Sequence, residues 1–494
     1  MKEKILFFTK APKLGYGKSR LEAFLSEEER LDLSRQLILE NYKILTLCEK
    51  DLILYYTGDK KDLSFIQGEF KVQEGQGLGE RMKRALYKEL ETSDKVILIG
   101  SDLYGVTTNL VQGAFEALEE KDFVISPTRD GGYGLIGLRK KADLFSGIQF
   151  SRGDVFENTL KRGEDLGLSW KVLGRILDID TLKDLVCAEE NTEDVQLLGQ
   201  GEYNINYLVN HEYVFRINLG SQLHLGKEQI PYEYKALKEL EESGATVKAY
   251  RWEERGKYIP LPFLTMEYVE GRPLDYGKDL KIAAYLLAKV HSLETEGSSL
   301  ILAKNPFQEM YQECRTMYGK YKGWEDRDPT TEAYLDKFIS VASRLGLDEE
   351  IEKKSIINTE LNNRNFIIGN KNVVIDWEKP LIGEKEQDLA HFMVPTTTNW
   401  KTDKILSDEE RAIFLKEYEK YNRINRDKLG KYFVFNCLRG LTWSSMAKVE
   451  YTEASKALVN EDTLEKINLF LGEDFLREIE KNYFEVYYGY LEEA

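Results

Sequence analysis

Lys10, Lys18 and Arg20 stand with Gly15 and Gly17 in one short stretch, KAPKLGYGKSRL, just after the apolar run Ile5–Phe8. A strand that runs into a glycine-containing loop can aim several backbone N–H groups at one point. Lysine and arginine beside that point can neutralise a phosphate held there. Pro12 occupies the position of the first Walker A glycine, so this is not that loop; a solvated surface turn would have the same composition. Asp102 supplies a complementary group. It follows Val96–Gly100 and so lies at the carboxyl end of an apolar strand, where open α/β sheets bind ligands. A carboxylate there can hold Mg²⁺ against a nucleotide diphosphate. Asp130-Gly131-Gly132-Tyr133 is a second acidic cluster, with glycines that allow close backbone approach. Asp178-Ile179-Asp180 is a third, again after an apolar run. Each acid alone could be a helix cap or a turn residue. Together with one cationic loop they point to an anion-and-metal site.

A second set of groups begins after residue 194. Gly199 and Gly201 mark a glycine hairpin, and Val214–Ile217 reads as a strand carrying Arg216, a cation suited to the α- and β-phosphates of ATP. Glu233 opens the next helix and could pair with Arg216. Met266-Glu267-Tyr268 has the character of a hinge that holds adenine by backbone hydrogen bonds. Glu360 opens the candidate catalytic loop Glu-Leu-Asn-Asn-Arg-Asn365. Asp376 follows an apolar strand, where a Mg²⁺ ligand belongs, and Asn365 would be its companion. Asp388 reads as a structural acid behind this site, and His224 and His291 as structural. The 29 tyrosines include Tyr483, Tyr487, Tyr488 and Tyr490 near the C-terminus. Nothing in their spacing selects a quaternary-ammonium cage over packing.

The elements needed to position these groups fall into two patterns. Up to about residue 185, short apolar strands (Lys4–Thr9, Leu52–Tyr56, Val96–Gly100, Phe123–Ser126) alternate with helical stretches, one of them opened by the capping box Ser26–Glu29. That order predicts an α/β domain with a parallel sheet covered on both faces. Beyond it come hairpin strands, a helix over 231–243, a strand over Phe263–Tyr268, and then a mostly helical stretch from about 276, interrupted by a β-rich segment at 355–376. The polar stretch Cys187–Asp194 is the candidate boundary. It divides the chain into residues 1–190 and 191–494.

Composition limits the function classes. A chain of 494 residues predicts two or three domains, and 42% hydrophobic with 31% charged residues excludes a disordered chain. With 69 Lys+Arg against 86 Asp+Glu the formal charge is −17, which argues against nucleic acid as a general partner and against anionic membranes. Residues 1–190 hold 29 basic and 33 acidic side chains and the remainder 40 and 53, so most of the excess acid lies in the second part. Four widely spaced cysteines read as buried thiols of a reducing compartment. Four histidines are too few for a histidine-built metal centre. No window approaches the ~20 apolar residues of a membrane span, and the start lacks the apolar region of a signal peptide. The expected location is cytoplasmic, with small-molecule partners and no membrane insertion; the oligomeric state is left open.

The motifs carry two resemblances. KAPKLGYGKSRL, QGLGERM (76–82), ILIGSDLYG (97–105), SPTRDGGYGLIGL (126–138) and DIDTLKDL (178–185) resemble a bacterial family of small GT-A-like nucleotide-diphospho-sugar transferases, akin to cofactor guanylyltransferases and molybdopterin nucleotidyltransferases. The likeness covers nearly all of 1–190. It implies a GT-A-like (Rossmann-like), mostly parallel sheet and nucleotide binding by the loop of Lys10, Gly15, Gly17, Lys18 and Arg20. Asp102 would be a metal ligand, Asp180 a second one, and Asp130–Tyr133 would line the acceptor side. The family usually has proline where Tyr104 stands and Trp-Ser at Phe150-Ser151; both departures bear on the acceptor.

Residues 195–494 resemble the aminoglycoside phosphotransferase and choline kinase-like family, with LLAKVHSL (286–293) and DWEKPLIGEKEQDLAHF adding to the match. This implies a two-lobed, protein-kinase-like α+β domain, with an N-lobe at about 195–270 and a C-lobe at about 271–494. Gly199, Gly201, Arg216, Glu233, Glu267 and Tyr268 would handle ATP, Asn365 and Asp376 would hold Mg²⁺, and Glu360 would be the catalytic carboxylate. The family's His-Gly-Asp is Asn358-Thr359-Glu360 here. Glutamate is one methylene longer, and a misplacement on the order of 1 Å can cost ~100-fold in rate. The expectation is a bifunctional transferase that uses Mg²⁺, ATP and a second NTP: a small alcohol or sugar is phosphorylated, and a nucleotidyl group is then joined to the product, with Lys18 and Arg20 stabilising the leaving pyrophosphate. The alternatives are a glycosyltransferase using a nucleotide sugar beside the phosphotransferase, and a nucleotidyltransferase with a regulatory pseudokinase.

Overall fold

The computed structural model describes residues 2–150, 152–201, 203–221, 223–453 and 461–488. Ser151 and Tyr490 fall outside them. The chain divides by contact into Met1–His211 with Glu254–Phe263, and Glu212–Glu253 with Leu264–Ala494. Among the described residues no helix is long and apolar enough to cross a membrane.

The first unit runs β1 (Glu3–Lys10), α1 (Glu27–Thr46), β2 (Asp51–Thr57), β3 (Glu69–Val72), α2 (Leu78–Glu89), β4 (Lys95–Gly100), β5 (Leu103–Tyr104), α3 (Thr108–Glu120), β6 (Phe123–Pro127) and β7 (Tyr133–Leu138). It continues with α4 (Val155–Asp165), β8 (Trp170–Val172), β9 (Leu177–Asp178), α5 (Leu182–Glu189), β10 (Val195–Gln200) and β11 (Asn204–Val209). Seven strands form one sheet in the order β3-β2-β1-β4-β7-β6-β8. Successive residues of a strand point to opposite faces, and here both faces are covered. Ile5, Phe7, Ile97 and Ile99 pack with Phe115 and Leu118 of α3, while Leu6, Phe8, Val96 and Leu98 pack with Met82 and Leu86 of α2. Apolar runs without polar alternation are the sequence form of such two-sided burial.

The sheet is parallel over β3, β2, β1 and β4 but not throughout. β7 runs antiparallel to both β4 and β6, because only the short segment 128–132 separates it from β6, too short for a crossover. The stretch beginning at Cys187 is not featureless either: Cys187 and Ala188 are buried on α5. Residues 254–263 and the antiparallel β10–β11 hairpin are grouped with this unit. The Glu189 carboxylate accepts the backbone N–H groups of Lys257 and Tyr258 at 3.1 and 2.7 Å. Of the free cysteines Cys187, Cys314 and Cys437 are buried, and Cys48 is half-buried.

The second unit contains β12 (Tyr213–Asn218), α6 (Gln229–Leu240), β13 (Ala249–Glu253), β14 (Phe263–Glu267) and β15 (Gly271–Pro273). Next come α7 (Leu280–Val290), α8 (Pro306–Lys322), α9 (Pro329–Ala342), β16 (Ser355–Ile357), β17 (Phe366–Gly369), β18 (Val373–Val374) and β19 (Leu381–Gly383). These lead into α10 (Lys385–Met393), α11 (Pro395–Lys401), α12 (Asp408–Tyr418) and α13 (Arg426–Thr452). β14 lies between β12 and β13 in one sheet; β15-β17-β18 and β16-β19 form two small ones. One core joins α6, α7, α8, α10 and α13, with Trp377 fully buried in it. Tyr483 belongs to this core, and its neighbour Phe484 stacks on Phe338 at 4.0 Å.

Candidate functional site

In the first unit a cleft of ≈ 680 Å³ opens at the carboxyl ends of β1 and β4, lined among others by Lys10, Arg81, Asp102, Asp130, Arg152 and Asp178. The parallel register Phe8↔Gly100 brings those two strand ends side by side. Asp102 is fixed by its own backbone, whose carbonyl accepts the Ile179 N–H at 3.0 Å, while Leu103 pairs with Asp178 across β5 and β9. Asn41, buried on α1, donates to the Ser101 and Leu103 carbonyls at 3.0 and 2.8 Å and so pins the turn that presents Asp102.

The cationic loop meets the acids directly. Lys18, at φ 51°, places Nζ 2.9 Å from Asp102 and also donates to the Ile179 carbonyl. Arg20 pairs with Asp180 at 2.8 Å. Gly15 and Gly17 take φ of 73° and 88°, which L side chains rarely adopt. Lys10 lines the cleft with its ammonium 3.9 Å above the Tyr16 ring. Gly132 and Tyr133 line the cleft too, and the Asp130 carboxylate accepts from Thr128 Oγ1 at 2.6 Å and from the Gly132 N–H at 3.1 Å. At Gly131 a Cβ would lie 1.9 Å from the Gly153 carbonyl oxygen, so the segment closes only with glycine there.

Sequence reasoning gave the second acidic role to Asp180, but Asp178 is the acid of that pair that lines the cleft. Burial pushes its carboxyl up to about 7; Lys18 opposes that rise, and Asp102, Asp130 and Asp180 add to it. Arg81 and Arg152 were missed as well. Arg81 is visible in QGLGERM only once α2 aims its first turn at the cleft, and Arg152 has no pattern of its own. Among the described residues no three Asp, Glu, His or Cys side chains form a ready-made metal cage. Mg²⁺ needs only one or two carboxylates besides substrate phosphates, and the exposed Asp102 and Asp130 with the half-buried Asp178 fit that demand.

In the second unit Arg216 on β12 is buried and meets Glu233 of α6 at 3.3 Å, Asp376 at 3.0 Å and Glu378 at 3.1 Å. Burial pushes the Glu233 carboxyl up to about 7 despite Arg216, with Asp376 and Glu378 adding to the rise; its Oε2 has no hydrogen-bond donor. Asn365 is buried, and its Oδ1 accepts the Asn362 N–H at 2.8 Å. The backbone bond from Ile375 N–H to the Asn365 carbonyl, 2.7 Å, sets Asn365 beside the strand end that carries Asp376. One lone pair of the Asn365 amide oxygen and the exposed Asp376 carboxylate remain compatible with Mg²⁺ coordination.

Asp388 is indeed behind this loop. Its carboxylate accepts the N–H groups of Asn358 and Thr359, both at 2.8 Å, and lies 3.3 Å from His291 Nε2. Thr359 takes φ 72°, which explains glycine as the usual residue there. Glu360 pairs with Lys379 and lies 3.5 Å from Arg439. Burial would raise its carboxyl, but the two cations outweigh that and hold it below the ordinary range. The Glu267 N–H is committed to the Lys248 carbonyl at 2.8 Å and its carboxylate to Lys371, so that amide is not free for adenine. Tyr268 follows it, half-buried. Gly199 on β10 and Gly201 in the turn before β11 are grouped with the first unit.

Comparison with known proteins finds two separate matches along the chain. Residues 43–152 match a family described as "uncharacterized protein conserved in bacteria (DUF2064)", and residues 194–431 match the phosphotransferase enzyme family. The 2-phospho-L-lactate guanylyltransferase of Methanocaldococcus jannaschii is 28% identical over 198 residues, 39% of this chain and 82% of that protein. That of Methanobrevibacter smithii is 25% identical over 199 residues, 38% of this chain and 86% of the relative. A candidate nucleotide-diphospho-sugar transferase structure from Desulfovibrio desulfuricans is 34% identical, covering 39% of this chain and 89% of that one with a TM-score of 0.37. A choline kinase structure from Streptococcus pneumoniae is 17% identical, covering 58% and 93% with a TM-score of 0.41.

Proposed function

We propose that this chain, which joins a guanylyltransferase-like domain of the DUF2064 family to a domain of the phosphotransferase enzyme family, carries out two consecutive transfers on one small alcohol. The functional junction is placed near residue 190. In the first step the alcohol oxygen attacks the γ-phosphorus of ATP, the bond to the β-phosphate oxygen breaks and ADP leaves. Glu360 accepts the hydroxyl proton, Arg216, held by Glu233, binds the α- and β-phosphates, and the Met266–Tyr268 segment takes adenine through groups other than the Glu267 N–H. Gly199 and Gly201 remain nucleotide contacts on sequence grounds alone.

In the second step the new phosphomonoester attacks the α-phosphorus of an NTP and pyrophosphate leaves. Lys10, with the Gly15–Gly17 loop, binds the NTP phosphates. Lys18 and Arg20 exchange their carboxylates for the leaving pyrophosphate, and Arg81 and Arg152 hold the acceptor's charge. Asp130, Gly131, Gly132 and Tyr133 shape the acceptor side. Mg²⁺ would be held by Asp102 with Asp178 or Asp180, and by Asn365 with Asp376; when bound it neutralises phosphate charge. The names of the curated relatives make GTP the proposed donor and a phosphorylated hydroxy acid the proposed acceptor.

The observation that carries this reading is the cleft itself, where Lys10, Arg81 and Arg152 face Asp102, Asp130 and Asp178. A ligand bearing both phosphate and a divalent cation suits such a mixed lining, phosphate meeting the cations and the metal meeting the carboxylates. ³¹P NMR of the full chain with ATP, GTP, Mg²⁺ and an alcohol panel tests it. Pyrophosphate should form only after ADP. No pyrophosphate from any NTP with any phosphorylated acceptor overturns the scheme. Release of nucleoside diphosphate from a nucleotide sugar would instead identify a glycosyltransferase.

A further inference from the structure

The surroundings of Glu360 bear on which alcohols the second unit accepts. Two cations converge on this carboxylate from different elements. Lys379, from the segment between β18 and β19, forms an ion pair with Oε1 and is only 14% exposed. Arg439, on α13 and 16% exposed, lies 3.5 Å from the same oxygen. Arg439 is held in place by Glu313 at 2.9 and 3.1 Å and by the Thr359 carbonyl at 3.1 Å. His391 also belongs to this cluster; burial, with Arg439 adding to it, lowers its imidazole to about 4, so it is neutral at working pH.

The charges of Glu360, Lys379, Arg439 and Glu313 sum to zero while Glu360 is ionised, and Glu378, which also faces Glu360 and Lys379, is offset by Arg216 at 3.1 Å. When Glu360 takes the acceptor's proton, the set is left with one net positive charge. An acceptor hydroxyl within hydrogen-bond reach of Glu360 must lie within a few ångströms of the Lys379 ammonium. At that separation a cationic acceptor is repelled and an anionic one attracted, and water screens little because both cations are largely buried.

We infer that the acceptor of the second unit is an alcohol bearing an anionic group close to its hydroxyl, of the 2-hydroxy-acid type, whose carboxylate binds Lys379 and Arg439. The inference rests on the kinase reading above and narrows its substrate. The reaction balances as stated there: the O–P bond forms at the hydroxyl oxygen, the bond to ADP breaks, and the proton passes to Glu360. Lys379 exchanges Glu360 for the acceptor's carboxylate as that proton arrives.

The test uses the full chain with Mg²⁺-ATP and pairs of probes matched in shape: L-lactate against propane-1,2-diol, D-glycerate against glycerol, and choline as the cation. ADP formation is measured, together with calorimetric binding of each probe in the presence of Mg²⁺-ADP. The expected result is a kcat/KM at least ~10-fold higher for the acids, which Lys379→Gln reduces to near parity mainly through KM, while Lys379→Arg restores it. If the acids bind but no probe is phosphorylated, the anionic site stands and the kinase reading fails. Preference for choline or the neutral diols, or selectivity unchanged in Lys379→Gln, overturns the inference and leaves the kinase reading intact. No binding and no turnover of any probe overturns both.

Discussion

Asp102 and Lys18 illustrate how a residue's role depends on its partner. Their chemistry is plain from type and position, yet the cation expected at phosphate and the acid expected at metal are bonded to each other at 2.9 Å. Each becomes available only when a ligand replaces the other. Asp102→Asn should therefore lower pyrophosphate release by about 100-fold or more while leaving ADP formation unchanged, since the loss of one preorganised electrostatic group costs that much. Pyrophosphate and ADP assays on the same preparation check it. Asp178 makes a different point. Desolvation first, and the neighbouring carboxylates after it, raise its carboxyl to about 7. Asp178→Asn should raise the melting temperature by a few degrees in Mg²⁺-free buffer and still abolish nucleotidyl transfer, the usual opposition of stability and function at a strained site. A melting temperature below wild type would sink that account.

Elements were legible where one local rule suffices. The Ser26–Glu29 capping box opens α1 as its residues require, and two-sided apolar runs became central strands. Rules that depend on distant partners were not legible. The polarity of residues 187–194 marks a candidate boundary and gives no sign that Cys187 and Ala188 complete the buried face of α5. Asn41 in mid-helix gives no sign that it holds the turn after β4. Asn41→Ala should cost roughly 1–3 kcal/mol because two buried carbonyls lose their donor, and it should slow nucleotidyl transfer more than ADP formation. Urea unfolding and the two assays distinguish this from a general loss of fold. Glu89 at the end of α2 accepts from Lys4 at 2.7 Å, Lys71 at 2.6 Å and Tyr55 at 2.7 Å. Burial opposes ionisation, but these donors outweigh it and hold the carboxyl down to about 2, against 4.5 unfolded. As pH falls through this interval the unfolded chain takes up a proton that the folded chain refuses, so stability present above pH 4.5 is lost toward pH 2. Glu89→Gln should cost about 3 kcal/mol at pH 7 and flatten that acid-side decline, as urea titrations at several pH values would show.

The whole molecule joins two parts that are both net acidic, residues 1–190 slightly and residues 191–494 strongly. Residues 1–190 are near balance, and most of the −17 lies beyond residue 190. Consecutive use of the units is itself testable. Glu360→Gln should stop pyrophosphate formation from ATP, GTP and free alcohol, and addition of the pre-phosphorylated acceptor should restore it in full. No restoration would break the proposed order. By itself the sequence determined the two fold classes, their order, the loop of Lys10, Lys18 and Arg20, and the acids at strand ends. Glycine positions, apolar runs and strand-end carboxylates are local and read in chain order. Only the tertiary structure decided that β7 reverses direction, that Asp178 rather than Asp180 lines the cleft, and that Lys379 and Arg439 converge on Glu360. Lys379 and Arg439 are sixty residues apart in the sequence and meet only because the packing of α13 brings them to one carboxylate. Charge neutralisation acts through space, and spacing along the chain does not encode it.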